Sequence, residues 1–414
     1  MGLFVVASSP GRADFLNTHQ DYKGLPVVPV AINLRTQLFA KPSGGNVFTV
    51  KSLDLEKYSE PSSDTFKLGE SDILERGFFG NYFRGVVNVI TKRGLIEKLQ
   101  GMDITVKSDI PIGSGLASSA ALEVAFAALL NHVCNLGFTK KDLAEISYAA
   151  ETQEVGVPCG RLDQYGVSFG GVIKLECKPP YEVETLPFTD LTFAIIDSGI
   201  RHSTGDIHPN RQAEINRGLN MLMQDETTPE TLKARLGIRF DQPQWQEISE
   251  DEIEGVLSVL DYEARDRIFF TVKMQKLTEF ALKVLRSEMP DKQELILRLG
   301  EEKCNLIRKS PFSERSYRIL GEVMNKQHAL LRDLYDVSLP KIEDICSVAL
   351  EAGAYGAKIS GAGKGGSVIA LVKDDETGRR VVRACLSVGA INGWLSRVGE
   401  GVKVETLKGE TGAI

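Results

Sequence analysis

The stretch DIPIGSGLASSAALEVAF, residues 109–126, combines residue types that can bind a phosphate group. Its first half contains Gly113 and Gly115, which permit positive φ angles and a close approach of the backbone to a partner. Its second half begins with Ser118 and Ser119 and continues with good helix formers, so a loop is predicted to open a helix. A helix N-terminus presents unpaired N–H groups and the positive end of the helix dipole, which suit a phosphate. A tight turn that caps a buried helix is the alternative interpretation.

Two other segments place glycines beside polar side chains. The segment SSPGRADFLNTHQDYKG brings Arg12, His19 and Asp21 close to an apolar run, which indicates either a polar site between buried strands or a surface hairpin. The third segment runs from Gly361 to Gly366 and carries Lys364 among its glycines. Taken singly, these segments are weak evidence, because glycine-rich loops also occur without a phosphate ligand.

The elements that hold these segments are predicted from hydrophobic patterning. Apolar and β-branched residues at 3–8 and 26–40 predict two strands around a polar loop. Apolar positions at helical spacing predict a helix over 80–95, and residues 101–111 are typical of a strand that leads into the glycine-rich loop. A further helix, capped by Thr139, is predicted before GVPCG. The order of strand, glycine loop and helix fits phosphate binding.

The second half of the chain has a different pattern. From about residue 205, long charged segments with apolar stripes predict amphipathic helices. The glycines between Gly361 and Gly366 separate two predicted strands, and GVKVETLKG predicts one more. Because 414 residues exceed the usual size of a single core, two domains are expected, with a junction near residues 197–205.

Composition and charge argue against several classes of protein. The chain is 42% hydrophobic and 25% charged, as ordinary folded domains are, which argues against long disorder. Lys and Arg number 49 against 56 Asp and Glu, a net charge of −7 without a long basic run, so nucleic acid is not an expected partner. The N-terminal stretch lacks the features of a signal peptide and no segment has the length of a membrane span, so a cytoplasmic protein without a membrane partner is expected.

Cysteine and histidine spacing gives no sign of a metal centre. The six cysteines include no C-x-x-C pair and the five histidines no H-x-x-x-H pair. A structural zinc site or a transition-metal enzyme is therefore not expected. The cysteines are expected to be reduced thiols, because no export signal is recognised.

In combination and in this order, the segments resemble the signatures of the GHMP small-molecule kinases, and within them the galactokinase family most closely. SSPGRADFLNTHQDYKGLPVVPVAI is similar to the family's APGRVNLIGEHTDYNGG and LPMAI, PIGSGLASSAALEVA to PxGxGLSSSASLEVA, and GVPCGRLDQYGVSFG to GMPCGIMDQF. DSGIRHSTGDIHPNRQAEI and QHALLRDLYDVSLPKIEDI also have counterparts there, so the resemblance covers nearly the whole chain. It implies an α+β, two-domain GHMP kinase fold with the active site between the domains. These would be residues 1–196, an N-terminal domain that binds ATP and sugar, and residues 197–414, a C-terminal domain.

The resemblance implies an ATP-dependent sugar 1-kinase, a phosphotransferase with an alcohol group as acceptor. Asp163 matches the family's catalytic aspartate and would accept the proton of the anomeric hydroxyl. Arg12 matches the arginine beside that aspartate, which would keep the carboxylate ionised and could stabilise charge on the transferring group. Without the resemblance, Asp163 would be interpreted as a turn residue that bonds its local backbone.

The cofactors implied by the resemblance are ATP and Mg²⁺. Ser118 or Ser119, together with Glu151, would hold Mg²⁺ through hard oxygen ligands. Taken alone, Glu151 would be interpreted as a solvated helix residue, and Tyr82, in a segment that matches a wall of the nucleotide site, equally as core packing. The residues implied in nucleotide binding are Gly113, Ser114, Gly115, Leu116, Ala117, Ser118, Ser119 and Asn81, and those implied as metal ligands are Ser119 and Glu151.

The sugar-binding residues implied by the resemblance are Thr18, His19, Asp21, Gly160 and His208. His19 and Asp21 stand as in the galactokinase family and would bond sugar hydroxyls. Thr18, however, replaces a glutamate that bonds a hydroxyl near the far end of galactose, and His208 replaces a tyrosine that lines the sugar. A neutral side chain in place of that carboxylate would no longer repel a substrate with its own carboxylate, and His208 could add positive charge.

Galactose is therefore the first expected substrate, and a related sugar 1-kinase for galacturonate, arabinose or an amino sugar is the alternative. A further alternative is a sensor that binds sugar and ATP without catalysis, although Ser118, Ser119, Glu151 and Asp163 all persist. The expected partners are ATP and a small sugar. The oligomeric state, for which a monomer is one option, stays open, as do the nucleotide preference and the role of Lys364, which stands where galactokinases more often carry an apolar residue.

Overall fold

The computed structural model describes residues 3–57, 60–201 and 207–408. These residues group into two compact units, each drawn from separate stretches of sequence. The described residues of Met1–Arg12, Val30–Gly171 and Val398–Ile414 form the first unit, and Ala13–Pro29 with those of Val172–Arg397 form the second. The expected division into residues 1–196 and 197–414 concerns continuous stretches and stays a prediction.

The first unit is built around a mixed sheet. Its strands, numbered along the chain, are β1 (Leu3–Leu16), β2 (Val28–Pro42), β3 (Val47–Ser52), β4 (Ser63–Lys67), β5 (Met102–Ser108) and β12 (Lys403–Lys408), in the order β12-β1-β2-β5-β3-β4. β1 pairs antiparallel with β12, β2 with β5, and β3 with β4, whereas β3 and β5 run parallel. Buried positions alternate along β3 and β5, so one face of the sheet packs on the core. The β3–β4 pair was not among the strands predicted from the sequence.

Helices cover the buried face of this sheet. They are α1 (Leu53–Lys57), α2 (Gly80–Lys92), α3 (Ser118–Val133), α4 (Lys140–Ala149) and α5 (Leu162–Phe169), with a π-helical turn, Ala150–Glu154, after α4. Ten of the residues of α3 are buried, because its small alanines allow close packing. The ring of Phe126 in α3 lies 4.8 Å from that of Phe83 in α2. Thr139 caps α4 as predicted, in a reciprocal capping box with Asp142.

The second unit combines a smaller sheet with long helices. The smaller sheet contains β8 (Thr192–Asp197), β9 (Gly356–Ser360), β10 (Ser367–Val372) and β11 (Asn392–Arg397), and the strands β6 (Val172–Leu175) and β7 (Val183–Leu186) form an antiparallel pair outside it. The helices of this unit are α6 (Ile207–Gln224), α7 (Glu230–Lys233), α8 (Glu250–Glu254), α9 (Tyr262–Leu285), α10 (Lys292–Leu299), α11 (Glu301–Lys309), α12 (Phe312–Asp333), α13 (Pro340–Glu351) and α14 (Asp375–Ser387). The strands β11-β8-β10-β9 are antiparallel throughout, and α12 and α13 pack on β9.

The predicted α+β class is confirmed by this architecture. The strand, glycine loop and helix order around residues 109–126 is present as β5, loop and α3. The amphipathic segments expected from about residue 205 form α6, α9, α12 and α13, although residues 202–206 lie outside the described part of the chain. Within the described residues, every helix is too short or too polar to cross a membrane.

Candidate active site

The glycine loop, residues 109–117, joins β5 to α3 in the first unit. Gly113 and Gly115 adopt φ angles of 68° and 75°, and Ala117, the residue before α3, is left-handed with φ 61°. Ser114 Oγ donates to the Pro111 carbonyl at 2.7 Å, which tightens the turn. No side-chain hydrogen bond caps α3 at Ala117. Its first-turn N–H groups are therefore suited to an anion.

A buried carboxylate lies beside the start of α3. Glu151, in the π-helical turn, accepts a hydrogen bond of 2.9 Å at Oε1 from Ser119 Oγ and one of 2.6 Å at Oε2 from Gln164 Nε2. Burial, with the charge on Asp163, raises the pKa of Glu151 to about 7. A buried Glu123 stands one turn along α3 from Ser119, and burial together with the charge on Glu151 raises its pKa well above the usual range.

This carboxylate and hydroxyl fit a magnesium ion. Mg²⁺ prefers hard oxygen ligands and commonly takes one or two from the protein and the rest from substrate phosphates and water. Ser119 and Glu151 supply such oxygens, and a cation there would offset the burial of the Glu151 charge. Among the described residues, no group of three or more His, Cys, Asp or Glu side chains is placed to hold a metal ion. The roles of Ser118, Ser119 and Glu151 stay predictions.

Arg12 and Asp163 form an ion pair in the first unit. Arg12 lies near the middle of β1, and its Nε and Nη2 donate to Asp163 Oδ1 at 2.9 and 2.6 Å. Arg12 Nη1 also donates to the Gly115 carbonyl at 2.5 Å, so one guanidinium ties the aspartate to the glycine loop. The side chain of Arg12 is 7% exposed and that of Asp163 26% exposed. The carboxylate is therefore held in place but accessible.

A cavity of about 220 Å³ opens beside the glycine loop in the first unit. Apolar groups of Phe79, Tyr82 and Leu122 line it, together with polar groups of Asp54 and Ser118. This mixture suits a flat heteroaromatic ring with a few polar edges. Because Ser118 and Ser119 also line the cavity, it adjoins the end of the glycine loop.

The side-chain amide of Asn81 hydrogen-bonds to the backbone and not to groups that line this cavity. Its Oδ1 accepts from the Leu74 N–H at 2.8 Å, and its Nδ2 donates to the carbonyls of Leu74 and Glu75. Asn81 therefore holds the segment that leads into α2, and its neighbour Tyr82 lines the cavity. Gly160 is exposed in the loop before α5. Direct contacts of Asn81 and Gly160 with ligands stay predictions.

Polar residues predicted to bind sugar cluster in the second unit. His19 Nε2 is 2.9 Å from the Ala362 carbonyl, which can only accept, so Nε2 carries the proton. Burial, with His208 and Lys23, lowers the pKa of His19 well below its usual value, and its buried Nδ1 has no partner among the described residues. Nδ1 is thus an open acceptor. Asn17 and His19 adopt left-handed φ angles of 68° and 65°, a strain that is common at binding sites.

His208 lies against this cluster, with its ring 5.2 Å from that of His19. Burial and the charge of Lys23 lower the pKa of His208. The expectation that His208 adds positive charge is therefore wrong near neutral pH. Lys23 is fully buried over the Phe270 and Tyr335 rings, and this burial lowers its pKa well below the usual value for a lysine. Asp21 is half-buried nearby in sequence.

Sequence reasoning missed Lys358, in the middle of β9. It is fully buried, and its Nζ donates to Thr18 Oγ1 at 2.8 Å and to two carbonyls. Glu123 and Gln164 were also missed. A lysine between apolar strand residues, in AKIS, was the available signal for the first. Lys364, on the glycine segment after β9, lines a separate cavity of about 440 Å³ with Arg211 and Asp336.

Comparisons with known proteins find similarity to kinases over most of the chain. Models of the GHMP kinases N terminal domain and C terminal domain match residues 81–171 and 308–391, and the galactokinase galactose-binding signature matches residues 3–42. The chain is 29% identical over 375 residues to the galactokinase of Roseiflexus sp. (strain RS-1), covering 89% of this chain and 83% of that protein. It is 27% identical over 412 residues to that of Bos taurus, covering 97% and 92%.

Solved structures of a galactokinase and a mevalonate kinase are also similar to this chain. The Lactococcus lactis galactokinase complexed with galactose superposes with a TM-score of 0.74 at 25% identity, covering 97% of this chain and 95% of that one. The mevalonate kinase of Methanococcus jannaschii has a TM-score of 0.62 at 17% identity, covering 97% and 96%, which is a likeness of fold alone.

Proposed function

The chain belongs to the GHMP kinases, and we propose that it is an ATP-dependent galactokinase, which phosphorylates the anomeric hydroxyl of galactose to galactose 1-phosphate. The observation that carries this proposal is the Arg12–Asp163 pair tied to the glycine loop. The galactose-binding signature over residues 3–42 supports the choice of sugar.

Asp163 is the general base of the proposed reaction. Both hydrogen bonds from Arg12 go to Oδ1, and the described hydrogen bonds leave Oδ2 open to the substrate. Asp163 takes the proton of the anomeric hydroxyl as the sugar oxygen bonds to the γ-phosphorus, and the bond from that phosphorus to the bridging oxygen breaks to release ADP. Arg12 holds the carboxylate in place through these two charge-assisted hydrogen bonds.

The first unit is proposed to bind the nucleotide. The N–H groups of the glycine loop and the start of α3 bind phosphate oxygens, and the cavity lined by Phe79, Tyr82 and Leu122 receives the base. Ser119 and Glu151 hold Mg²⁺, which supplies neutralising charge on the phosphates when bound. Gln164 positions Glu151 through the hydrogen bond that its Nε2 donates, and the buried Glu123 lies within electrostatic reach of Glu151.

The sugar is proposed to contact the residues that cluster in the second unit. His19 Nδ1 accepts a hydrogen bond from a sugar hydroxyl, because Nε2 is already committed as a donor to Ala362. Asp21 accepts from further hydroxyls. ATP and the sugar are the proposed small-molecule partners, and we place the enzyme in the cytoplasm.

The proposal is tested by ADP release from purified protein with ATP, Mg²⁺ and a panel of sugars. Galactose should give turnover and a 1-phosphate product by ³¹P NMR, and omission of Mg²⁺ should abolish it. Mevalonate and homoserine serve as acceptors of other GHMP kinases. Turnover on either of them with none on a hexose would refute the assignment, and binding of ATP and galactose without turnover would favour a sensor.

A further inference from the structure

Three polar side chains follow one face of α2. Asn81, Arg84 and Asn88 are separated by three and four residues, the spacing that aligns side chains along an α-helix. Asn81 and Arg84 are buried, and Asn88 is half-buried. Amide and guanidinium groups are costly to bury unless they form hydrogen bonds. The partners of these three side chains therefore show what this face of α2 does.

The main partner is the chain that leads into α2, residues 71–77, which we call the strap. Asn81 Oδ1 accepts a hydrogen bond of 2.8 Å from the Leu74 N–H, and Asn81 Nδ2 donates to the Glu75 carbonyl at 2.9 Å. A side-chain amide carries both a donor and an acceptor. One residue of α2 thus fixes the direction of the strap backbone as well as its position.

The other two side chains fasten the earlier part of the strap. Arg84 Nη1 donates to the Asp72 carbonyl at 3.0 Å, while its Nε and Nη2 each donate at 2.9 Å to the carboxylate of Asp64 in β4. Asn88 Nδ2 donates to the Ser71 carbonyl at 3.0 Å, and its Oδ1 accepts from the Ser71 hydroxyl. The strap is therefore held along α2 at three successive points.

The strap depends on these side chains for its order. It lies between β4 and α2, outside any helix or strand. Among the described residues, the backbone from 71 to 75 has one other hydrogen-bond partner, the Phe78 N–H, which donates to the Glu75 carbonyl at 3.2 Å. Residues 74–76 are exposed, so little apolar packing holds this part of the chain in place.

The end of the strap forms part of the wall of the cavity beside the glycine loop. Gly77 has a φ angle of 90°, which permits the turn before α2. Gly77 lines the cavity together with Phe79 and with Tyr82 of α2. Asn81, which fastens the strap closest to this wall, is adjacent to Tyr82 in sequence.

We propose that Asn81 and Asn88 are positioning residues for the nucleotide: they fasten the strap to α2 and so hold the cavity wall against the base. This inference rests on the proposed ATP-dependent activity. The two side chains act through the strap and not by touching the nucleotide. Among the described residues, no hydrogen bond joins the strap to Arg12 or Asp163. Loss of a fastening should therefore weaken nucleotide binding without slowing the chemical step.

The first experiment compares Asn81→Ala and Asn88→Ala with the wild type in steady-state kinetics. We expect the KM for ATP to rise about 10-fold in Asn81→Ala and about 3-fold in Asn88→Ala, which lies roughly two turns farther along α2. The kcat at saturating ATP should stay within about 2-fold of the wild type in both. An effect confined to Asn81→Ala would overturn the inference and favour a direct contact between Asn81 and the nucleotide.

Binding of partial ligands then locates the effect. ADP contains the base, whereas inorganic tripolyphosphate contains only phosphate groups. By calorimetry with Mg²⁺, Asn81→Ala should bind ADP about 10-fold more weakly and tripolyphosphate as the wild type does. Equal weakening of both probes would mean that the whole site is damaged, which overturns the inference. Failure of the wild type to bind ATP would instead refute the proposed function itself.

Hydrogen exchange followed by mass spectrometry tests the strap directly. The peptide that covers residues 71–77 should exchange about 10-fold faster in Asn81→Ala, because the Leu74 N–H loses its acceptor. Unchanged exchange in this peptide overturns the inference. If Asn81→Ala does not fold, as judged by thermal unfolding, Asn88→Ala decides, and an unchanged KM for ATP and unchanged exchange in that variant overturn the inference.

The matched control is Asn131→Ala, which removes the same kind of contact from the other end of α3. Asn131 accepts from the Phe138 N–H at 2.8 Å and donates to the Phe138 carbonyl at 3.0 Å. It lies roughly 18 Å along the helix from Ser119, by the rise of 1.5 Å per residue. We expect this variant to leave the KM for ATP and the exchange of the strap unchanged. A rise in KM equal to that of Asn81→Ala would mean a general loss of stability and overturn the inference.

Discussion

Ser119 and Glu151 are joined by a hydrogen bond of 2.9 Å from Ser119 Oγ to Glu151 Oε1, although 32 residues separate them in sequence. The contact brings the first turn of α3 onto the π-helical turn after α4. It places a hydroxyl and a carboxylate side by side at the end of the glycine loop. A hydroxyl and a carboxylate oxygen are hard ligands of the kind that Mg²⁺ prefers.

Glu151→Gln should weaken the response to Mg²⁺, because it removes the negative charge while keeping the hydrogen-bonding shape. We expect the Mg²⁺ concentration for half-maximal activity to rise at least 10-fold. Binding of Mn²⁺ in the presence of ATP, followed by electron paramagnetic resonance, should weaken in parallel. Glu97→Gln, at an exposed position of the first unit, is the control. Equal Mn²⁺ affinity in the two variants would show that Glu151 is not a ligand.

Asp163→Asn should lower kcat by about 100- to 10,000-fold, since an amide cannot take the proton of the sugar hydroxyl. The Arg12 contact can persist through the amide oxygen, so ATP affinity measured by calorimetry should stay within about 3-fold of the wild type. Asp103→Asn, on the exposed face of β5, controls for loss of an acidic group. Near-native turnover by Asp163→Asn would remove Asp163 from the mechanism.

Functional residues that share a local motif could be predicted from the sequence. Residues that come into contact only after folding could not. The glycine loop and α3 could be predicted because glycine, serine and alanine have strong local preferences. Arg12 and Asp163 are 151 residues apart, and only the resemblance to a family joined them. Lys358 and Thr18 are 340 residues apart, and no local rule pairs a strand lysine with a loop threonine. Glu123 was missed because a helical glutamate is usually solvated, whereas here close packing of α3 buries it.

Leu122→Trp should block the cavity beside the glycine loop, because the larger ring fills much of a space of about 220 Å³. We expect the KM for ATP to rise at least 10-fold, and direct binding of ATP measured by calorimetry to weaken equally. Leu407→Trp, at an exposed position of β12, is the matched control. Unchanged ATP binding by Leu122→Trp would mean that the base lies elsewhere.

Lys358→Met should alter how stability depends on pH. Burial lowers the pKa of Lys358 from 10.5 to about 8, against the opposing charge of Asp14 and beside the Cys346 thiol. Between about pH 8 and 10.5 the unfolded chain therefore holds a proton that the folded chain has lost. Because of this group, the free energy of unfolding of the wild type increases as the pH rises. Below about pH 8 both states are protonated and the gain is absent.

The difference in unfolding free energy between the wild type and Lys358→Met should consequently shift in favour of the wild type by roughly 1–3 kcal/mol between pH 7.5 and 10.5. Urea unfolding at a series of pH values measures it. Lys41→Met, at an exposed position of β2, is the control, and its free energy of unfolding should depend on pH as that of the wild type does. The same pH dependence for Lys358→Met as for the wild type would mean that Lys358 titrates as an ordinary solvated lysine.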